Sequence, residues 1–235
     1  MMLPLLDSDY IEFPDTRDAL DDPNGLLAVG GALTPDWLLA AYHRGIFPWF
    51  SDDQPILWWS PSPRCVFFPN EVTFSRSLRK TLRQQRYKVT FDQAFSEVMQ
   101  GCAGPRADES GTWITDDMHH AYQAMHAAGC AHSVEAWQDG ELVGGLYGIA
   151  IGRVFFGESM FHRATDASKV AFAHLVAQLR QWGCRLIDCQ VSNPHLLSLG
   201  AVEIPRAQFE TILKQEVARS PFPSPWPLRA PPPES

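Results

Sequence analysis

The chain has 235 residues, 45% of them hydrophobic and 20% charged, with a formal net charge of −8. Such a length and balance suit one large folded domain or two modest ones, and they exclude a disordered or fibrous chain over most of the sequence. An acidic average also excludes a surface uniformly attractive to polyanions.

The first sixty residues hold four of the eight tryptophans, Trp37, Trp49, Trp58 and Trp59, among turn signals. One helix is predicted there, from about Pro35 to Arg44. Thr34 caps it, Pro35 suits its first position, Asp36 complements its positive end and Gly45 supplies the left-handed residue after it. Ser60-Pro61-Ser62-Pro63 disfavours both continuous helix and central strand, and sets a boundary between a small N-terminal domain (1–62) and a main domain (63–219).

A second helix reads from beyond Thr73 through about Arg86. Advancing about 100° per residue puts Phe74, Leu78 and Leu82 on one side and gathers Arg76, Arg79, Lys80 and Arg83 on nearly the opposite side. Between Arg64 and Lys88 there are seven basic residues against one acid, Glu71. Four like charges on one helix face repel each other, so the stripe is either an ordinary solvated face or an anion-binding one.

Tyr87 to Phe91 reads as a strand, followed by a helix capped by Asp92 and another capped by Thr115, with Asp116 and Asp117 in its first turn and an end near Gly129. From His132 the period changes to two. His132 to Gln138, an Asp139-Gly140 hairpin signal, Glu141 to Ile151, a Gly152-Arg153 turn and Val154 to Phe161 make an antiparallel meander. A helix to about Trp182, a strand from Cys184 to Val191, a short helical turn near His195 and a last helix after Pro205 follow. The second part is thus α+β, with a largely antiparallel sheet and a helical crossover into one further strand. Residues 220–235 hold seven prolines, which predicts an extended or disordered tail and a poor place for chemistry.

Several chemistries are set aside on pattern. Five cysteines form no C-x-x-C pair, and read as reduced thiols of a cytoplasmic protein with neither a disulfide framework nor a structural zinc. No secretory signal is visible, and Leu142 to Phe156 is too short and glycine-rich to span a membrane. Gly25 to Gly31 lacks the Lys-Ser/Thr of a phosphate-binding loop. Ser159 lacks the second glycine of a nucleophile elbow. His119, His120 and His126 share a helix with no carboxylate completing a metal motif, so no metal is expected.

The strand Leu186-Ile187-Asp188-Cys189-Gln190-Val191 is more informative. Alternation puts Asp188 and Gln190 on one face, about 7 Å apart, with Ile187, Cys189 and Val191 on the other. Asp188 either orients Gln190 or accepts a hydrogen bond from a substrate amine; the two are otherwise a structural buried polar pair. Glu158 is the second carboxylate of interest, set among Phe155, Phe156, Met160 and Phe161. Sharing a cleft with Asp188, it would make an acidic site for a cationic group, and the neighbouring aromatics are either core or the wall of an apolar pocket. Trp49 and Trp113 are candidate stacking platforms for a single-stranded nucleic-acid end, or else hydrophobic anchors.

Six stretches in order carry a resemblance: Gly45-Ile46-Phe47-Pro48-Trp49-Phe50, Leu57-Trp58-Trp59-Ser60-Pro61, Gly111-Thr112-Trp113-Ile114-Thr115, Leu142-Val143-Gly144-Gly145, Gly157-Glu158-Ser159-Met160-Phe161 and Leu186 to Val191. From about Phe13 to Phe209 the chain resembles the bacterial leucyl/phenylalanyl-tRNA-protein transferases. The resemblance implies a cytoplasmic aminoacyltransferase of the bacterial N-end rule pathway that needs no cofactor. It would move Leu or Phe, and less efficiently Met, from aminoacyl-tRNA to the α-amine of proteins beginning with Arg or Lys, marking them for degradation. It also implies a small N-terminal α/β domain followed by a GNAT-like acetyltransferase fold.

By the same resemblance Asp188 and Gln190 match a pair acting at the reacting amine, and Glu158 an active-site acid. Trp49 and Trp113 match residues near the tRNA's terminal adenosine, while Leu146, Phe155 and Met160 match the amino-acid pocket. Arg76, Arg79, Lys80 and Arg83 are then the residues expected to bind tRNA. Two rivals stand beside this reading. An acetyl-CoA-dependent N-acetyltransferase is disfavoured because Arg163-Ala164-Thr165-Asp166-Ala167-Ser168 has no glycine to cradle a pyrophosphate. The other rival is a non-catalytic RNA-binding module.

Overall fold

The computed structural model describes residues 3–104, 114–227 and 233. Near its start the chain builds α1 (Pro35–Tyr42), where the Thr34 hydroxyl accepts a hydrogen bond from the Trp37 N–H at 3.4 Å and Gly45 turns the chain at φ +72°. Trp37, Leu38, Ala41 and Tyr42 are buried along one side of this helix. They pack with a four-stranded sheet of β1 (Leu5–Leu6), β2 (Leu26–Gly30), β3 (Phe47–Pro48) and β4 (Leu57–Trp59), in the order β1-β2-β4-β3. Trp37 stacks on Trp58 with ring centroids 6.0 Å apart, and Phe13 meets both edge-on.

Between Trp59 and Arg64 the chain leaves this sheet for a second one of seven strands. It comprises β5 (Arg64–Phe67), β6 (Lys88–Phe91), β7 (Ala131–Gln138), β8 (Glu141–Ile151), β9 (Val154–His162), β10 (Leu186–Gln190) and β11 (Val202–Ile204). Their spatial order is β11-β5-β10-β9-β8-β7-β6. Every neighbouring pair is antiparallel except β9 and β10, which α5 (Ala167–Gln181) joins as a crossover. A parallel pair needs such a long connection because the chain must return to the same end of the sheet. The meander β7-β8-β9 closes on Asp139 and Gly140, both at positive φ (+52° and +86°), as a two-residue hairpin requires. The expected α+β class with a largely antiparallel sheet is the one observed.

The two faces of the large sheet are covered differently. On one side α5 and α2 (Arg76–Arg83) bury Leu78, Val170, Leu175 and Val176 against Phe67, Val134, Leu146 and Phe155. The other side carries α3 (Phe95–Ala103), α4 (Asp116–Ala127), α7 (Arg206–Val217) and the small sheet, so Trp37 and Tyr42 share a core with Tyr122, Tyr147 and Phe156. A short α6 (Pro194–Ser198) precedes β11. No helix among the described residues is long and apolar enough to cross a membrane.

Local expectations differ from the structure in four places. The second helix begins at Arg76, beyond Thr73 as expected, where Ser75 caps it by accepting from the Leu78 N–H, but it ends at Arg83 rather than about Arg86. Asp92 caps no helix. At φ +54° its carboxylate turns back to accept from the Ser133 N–H at 2.9 Å and to meet His132 Nδ1 at 2.8 Å, and α3 starts only at Phe95. The strand expected over Cys184 to Val191 is the shorter β10, and a bulge at its end breaks the alternation. In the proline-rich segment Phe222 and Trp226 are buried, 6% and 5% exposed, instead of trailing in solvent.

Candidate active site

A cleft of about 1720 Å³ opens where β9 and β10 part. Their parallel pairing runs through Leu186↔Val154, Ile187↔Phe155 and Asp188↔Phe156, and stops there. Beyond that point Gly157, Glu158, Ser159 and Met160 line one wall, and Cys189, Gln190 and Val191 line the other. Two strands that diverge leave a gap in the middle of a sheet, an opening that reaches both of its faces.

The gap is held open by the end of β10. Asp188 pairs with Val66 of β5, but Gln190 pairs with Cys65, so one residue is extra, and Gln190 takes φ +63°. Asp188 is thereby turned wholly inward, at 0% exposure. Its two carboxylate oxygens accept from Arg64 Nε at 2.8 Å and Arg64 Nη2 at 2.6 Å, and Oδ1 also accepts from the Gln190 backbone N–H at 2.9 Å. The Arg64 side chain is itself 0% exposed, with its guanidinium carbon 4.8 Å from the Phe47 ring centre and 4.6 Å from that of Phe209. Two expectations are corrected here. Asp188 does not face the cleft and has no open oxygen for a substrate amine; it fixes the backbone of Gln190. Arg64 belongs to no surface patch, because it is the buried counter-charge of Asp188.

Glu158 stands at the centre of the cleft's polar end. Gln190 Nε2 donates to its Oε1 at 3.0 Å, and Tyr42 Oη donates to the same oxygen at 2.7 Å. Tyr122 Oη lies 3.0 Å from Oε2 and 2.5 Å from Tyr42 Oη. Three oxygen–oxygen contacts in a ring need three protons, and two phenols supply only two. With Glu158 protonated the ring closes: Oε2 donates to Tyr122, Tyr122 to Tyr42 and Tyr42 to Oε1. Burial of the carboxyl raises its pKa in the same direction, to about 7, against the opposing effect of the hydrogen bonds it receives, and the nearby Asp188 charge adds to the rise. Burial likewise holds both tyrosines well above the ordinary phenol value, with the Glu158 charge as the second cause.

At the other end the recess is apolar. Leu146, Phe155 and Met160 line it together with Phe172, Leu175 and Ile187, so it passes through the gap to the α5 side of the sheet. Gly148 leaves room for the outer end of the Phe155 ring beside β8, since a Cβ there would come within 2.6 Å of that ring. Toward solvent the lining includes Trp49, 47% exposed, whose ring centre is 5.6 Å from Trp59 and whose carbonyl accepts from Trp59 Nε1 at 2.7 Å. His195 also lines this outer part, its pKa lowered by burial and by the charges of Lys169 and His162.

Of the residues singled out from sequence, Glu158, Gln190, Trp49, Leu146, Phe155 and Met160 therefore meet in one cleft, and Asp188 lies directly behind it. Trp113 lies outside the described residues. Arg76, Arg79, Lys80 and Arg83 are exposed along α2, away from the cleft lining. Sequence reasoning missed Tyr42 and Tyr122. Each sits on the apolar side of a helix, where a tyrosine reads as core, and only the facing carboxylate 116 or 36 residues away reveals its partner.

Sequence comparison with known proteins identifies a family. The profile described as leucyl/phenylalanyl-tRNA protein transferase matches residues 66–214, and that of the N-terminal domain of the same family matches 31–62. Proteins named leucyl/phenylalanyl-tRNA–protein transferase are similar over most of their length. The one from Saccharophagus degradans is 60% identical over 89% of this chain and 86% of its own. The one from Cellvibrio japonicus is 60% identical over 90% of each. The one from Stutzerimonas stutzeri is 59% identical over 93% and 96%.

Proposed function

The chain belongs to the leucyl/phenylalanyl-tRNA–protein transferase family of enzymes, and on that premise we propose that its cleft transfers an apolar amino acid from aminoacyl-tRNA to the α-amine of a polypeptide. The finer reading is Leu or Phe, with Met less efficiently, delivered to proteins beginning with Arg or Lys. Transfer marks those proteins for degradation by the bacterial N-end rule pathway. The cytoplasm is its place of action, in keeping with a sequence whose five cysteines form no C-x-x-C pair. The main domain, 63–219, is read as GNAT-like: a parallel strand pair parting after a helical crossover supports this, with residues 1–62 as a small α/β domain and 220–235 as a tail.

One observation carries the proposal: a buried carboxyl, Glu158, holds the amide of Gln190 beside an apolar recess. Because Nε2 donates to Glu158, Oε1 is the end of the amide left to accept from an incoming amine. The aminoacyl ester is already activated, so the amine attacks its carbonyl carbon directly. The C–N bond forms as the bond to the ribose oxygen breaks, and the proton lost by nitrogen balances the one gained by the leaving hydroxyl. Positioning alone supplies about 7–11 kcal/mol when alignment is good. A neutral amide is a weak base, so Gln190 orients the amine rather than deprotonating it. Asp188 serves Gln190 from behind, through its backbone N–H.

The apolar recess takes the amino-acid side chain, with Leu146, Phe155 and Met160 as its wall, and Trp49 and Trp113 are assigned to the terminal adenosine. One methylene discriminates by about 1–3 kcal/mol, which accounts for some acceptance of Met. Arg76, Arg79, Lys80 and Arg83 are assigned to tRNA phosphates farther from the cleft. The deciding assay mixes the protein with tRNA carrying labelled Leu and a reporter beginning with Arg, without added coenzyme. Label entering peptide linkage supports the reading. Labelling that requires acetyl-CoA, or no transfer at all, overturns it in favour of an acetyltransferase or an RNA-binding module.

A further inference from the structure

We propose that Trp226, in the proline-rich segment after α7, is a positioning residue that sets the depth of the apolar recess by backing Phe155. The proposal rests on the reading of that recess as the amino-acid pocket. Phe155 has one face toward the cleft and is otherwise confined: Gly148 lies beside its ring, and the Trp226 ring stands 6.1 Å away at 39°. Trp226 is anchored from three other directions. It stacks on His132 with centroids 3.9 Å apart and planes within 5°, meets Phe91 edge-on at 5.5 Å and meets Trp182 at 5.1 Å. His132 is in turn tied to Asp92 at 2.8 Å. An aromatic side chain held on four sides and 5% exposed is a rigid stop behind the pocket wall.

Removing that stop leaves a cavity into which Phe155 can retreat, because the surroundings of a deleted core side chain relax only in part. The recess then deepens on the side away from Glu158 and Gln190. The reacting groups are untouched, while the larger acyl side chain gains room. Phe222, from the same segment, supplies the internal control. It is equally buried, but its ring partner is Trp182, at 5.6 Å, and it lies 5.5 Å from the Arg153 guanidinium, whereas the Phe155 ring is paired with Trp226.

The experiment compares Trp226→Phe, Trp226→Leu, Trp226→Ala and Phe222→Ala in the full chain. For each, kcat/KM is measured for transfer of Leu, Met and Phe. Binding of amide-linked aminoacyl-adenosines bearing the same three side chains is measured in parallel by calorimetry. Trp226→Ala is expected to raise the preference for Phe over Leu about threefold to tenfold, below the roughly 10–200-fold that one full methylene commands. Trp226→Leu is intermediate, Trp226→Phe returns the preference to normal, and Phe222→Ala lowers thermal stability without moving it. Should Trp226→Ala itself fail to fold, the Leu and Phe variants decide by their order. An unchanged preference in every Trp226 variant, or an equal shift in Phe222→Ala, overturns the proposal. A wild-type protein that binds the analogues but transfers nothing removes the proposed function and leaves the Trp226 series to be read from binding. One that binds none of the three overturns both.

Discussion

Arg64 and Asp188 meet as a two-point ion pair with no solvent on either partner, although 124 residues separate them in the chain. The pair lies immediately beneath Gln190 and fixes its backbone. Removing one partner of a buried pair costs about 3–5 kcal/mol, because the remaining charge is stranded, whereas replacing both with apolar groups is often neutral. Arg64→Leu is therefore expected to lose that much in urea unfolding, and Arg64→Met with Asp188→Leu to recover most of it. Transfer should stay low in the double variant, since the acceptor for the Gln190 N–H is gone there. Recovery of transfer together with stability would show that the pair serves the fold alone.

Glu158 gives the pH dependence its sign. Its folded-state pKa is raised to about 7 by burial, from 4.5. Between those values the native protein holds the proton more tightly than the unfolded chain does. Stability from this group is thus fully present below about 4.5 and lost as pH rises through about 7, by at most about 1.4 kcal/mol per pH unit. Unfolding free energies of wild type and Glu158→Gln, measured across this range, should diverge in that direction; a constant difference contradicts the assignment. Transfer should rise through the same pH as the carboxylate forms and grips Gln190 more strongly. Glu158→Gln should keep only the limb near pH 8 that belongs to the acceptor's own α-amine.

The exposed stripe on α2 predicts a salt effect. Neutralising about three or four phosphates gives a log–log slope of binding against salt of roughly −2 to −4. Each of Arg79→Ala and Arg83→Ala should flatten that slope by about 0.7–0.9. Neither should change the rate with a short aminoacyl-adenosine donor, because neither side chain lines the cleft. A slope near zero for wild type would leave the stripe as a solvated face.

Two glycines should behave oppositely. A Cβ on Gly148 would come within 2.2 Å of the Phe156 carbonyl oxygen and 2.6 Å of the Phe155 ring, so Gly148→Ala is expected to cost about 1–3 kcal/mol by overpacking. At Gly157 a Cβ meets only the Asp188 carbonyl oxygen, at 3.6 Å. Gly157→Ala should melt like wild type and yet raise KM, since the added methyl projects where β9 and β10 part. Thermal melts beside steady-state kinetics separate the two outcomes.

What the sequence disclosed was governed by local chemistry. Thr34 and Thr115 cap their helices as their spacing implies, and Asp139-Gly140 makes its hairpin, because each depends on residues a few positions apart. Glu158 and Gln190 were legible as polar groups in apolar strands. Alternation failed at Asp188, because the bulge that separates its fate from that of Gln190 is imposed by pairing with β5, on the far side of the sequence. Arg64 failed for the same reason: counted along the chain it belongs to a basic run, and only its distant partner makes it internal. Trp226 was hidden by composition, since prolines report that a segment lacks regular structure and say nothing of whether an aromatic among them finds a core.

The position of β5 has a consequence for how the molecule comes together. The strand lies between β10 and β11, so residues 64–67 have no neighbour to hydrogen-bond until residues 186–204 exist. The meander β7-β8-β9 can zip from its own hairpins early, whereas insertion of β5 must await a long loop closure, the kind of event that slows folding. A nascent chain therefore carries four of the seven strands, β6 to β9, before the strand that completes the site is made. The strand whose docking waits on the late residues of β10 is the one that brings Arg64 beneath Gln190, so catalytic competence arrives with a late topological step.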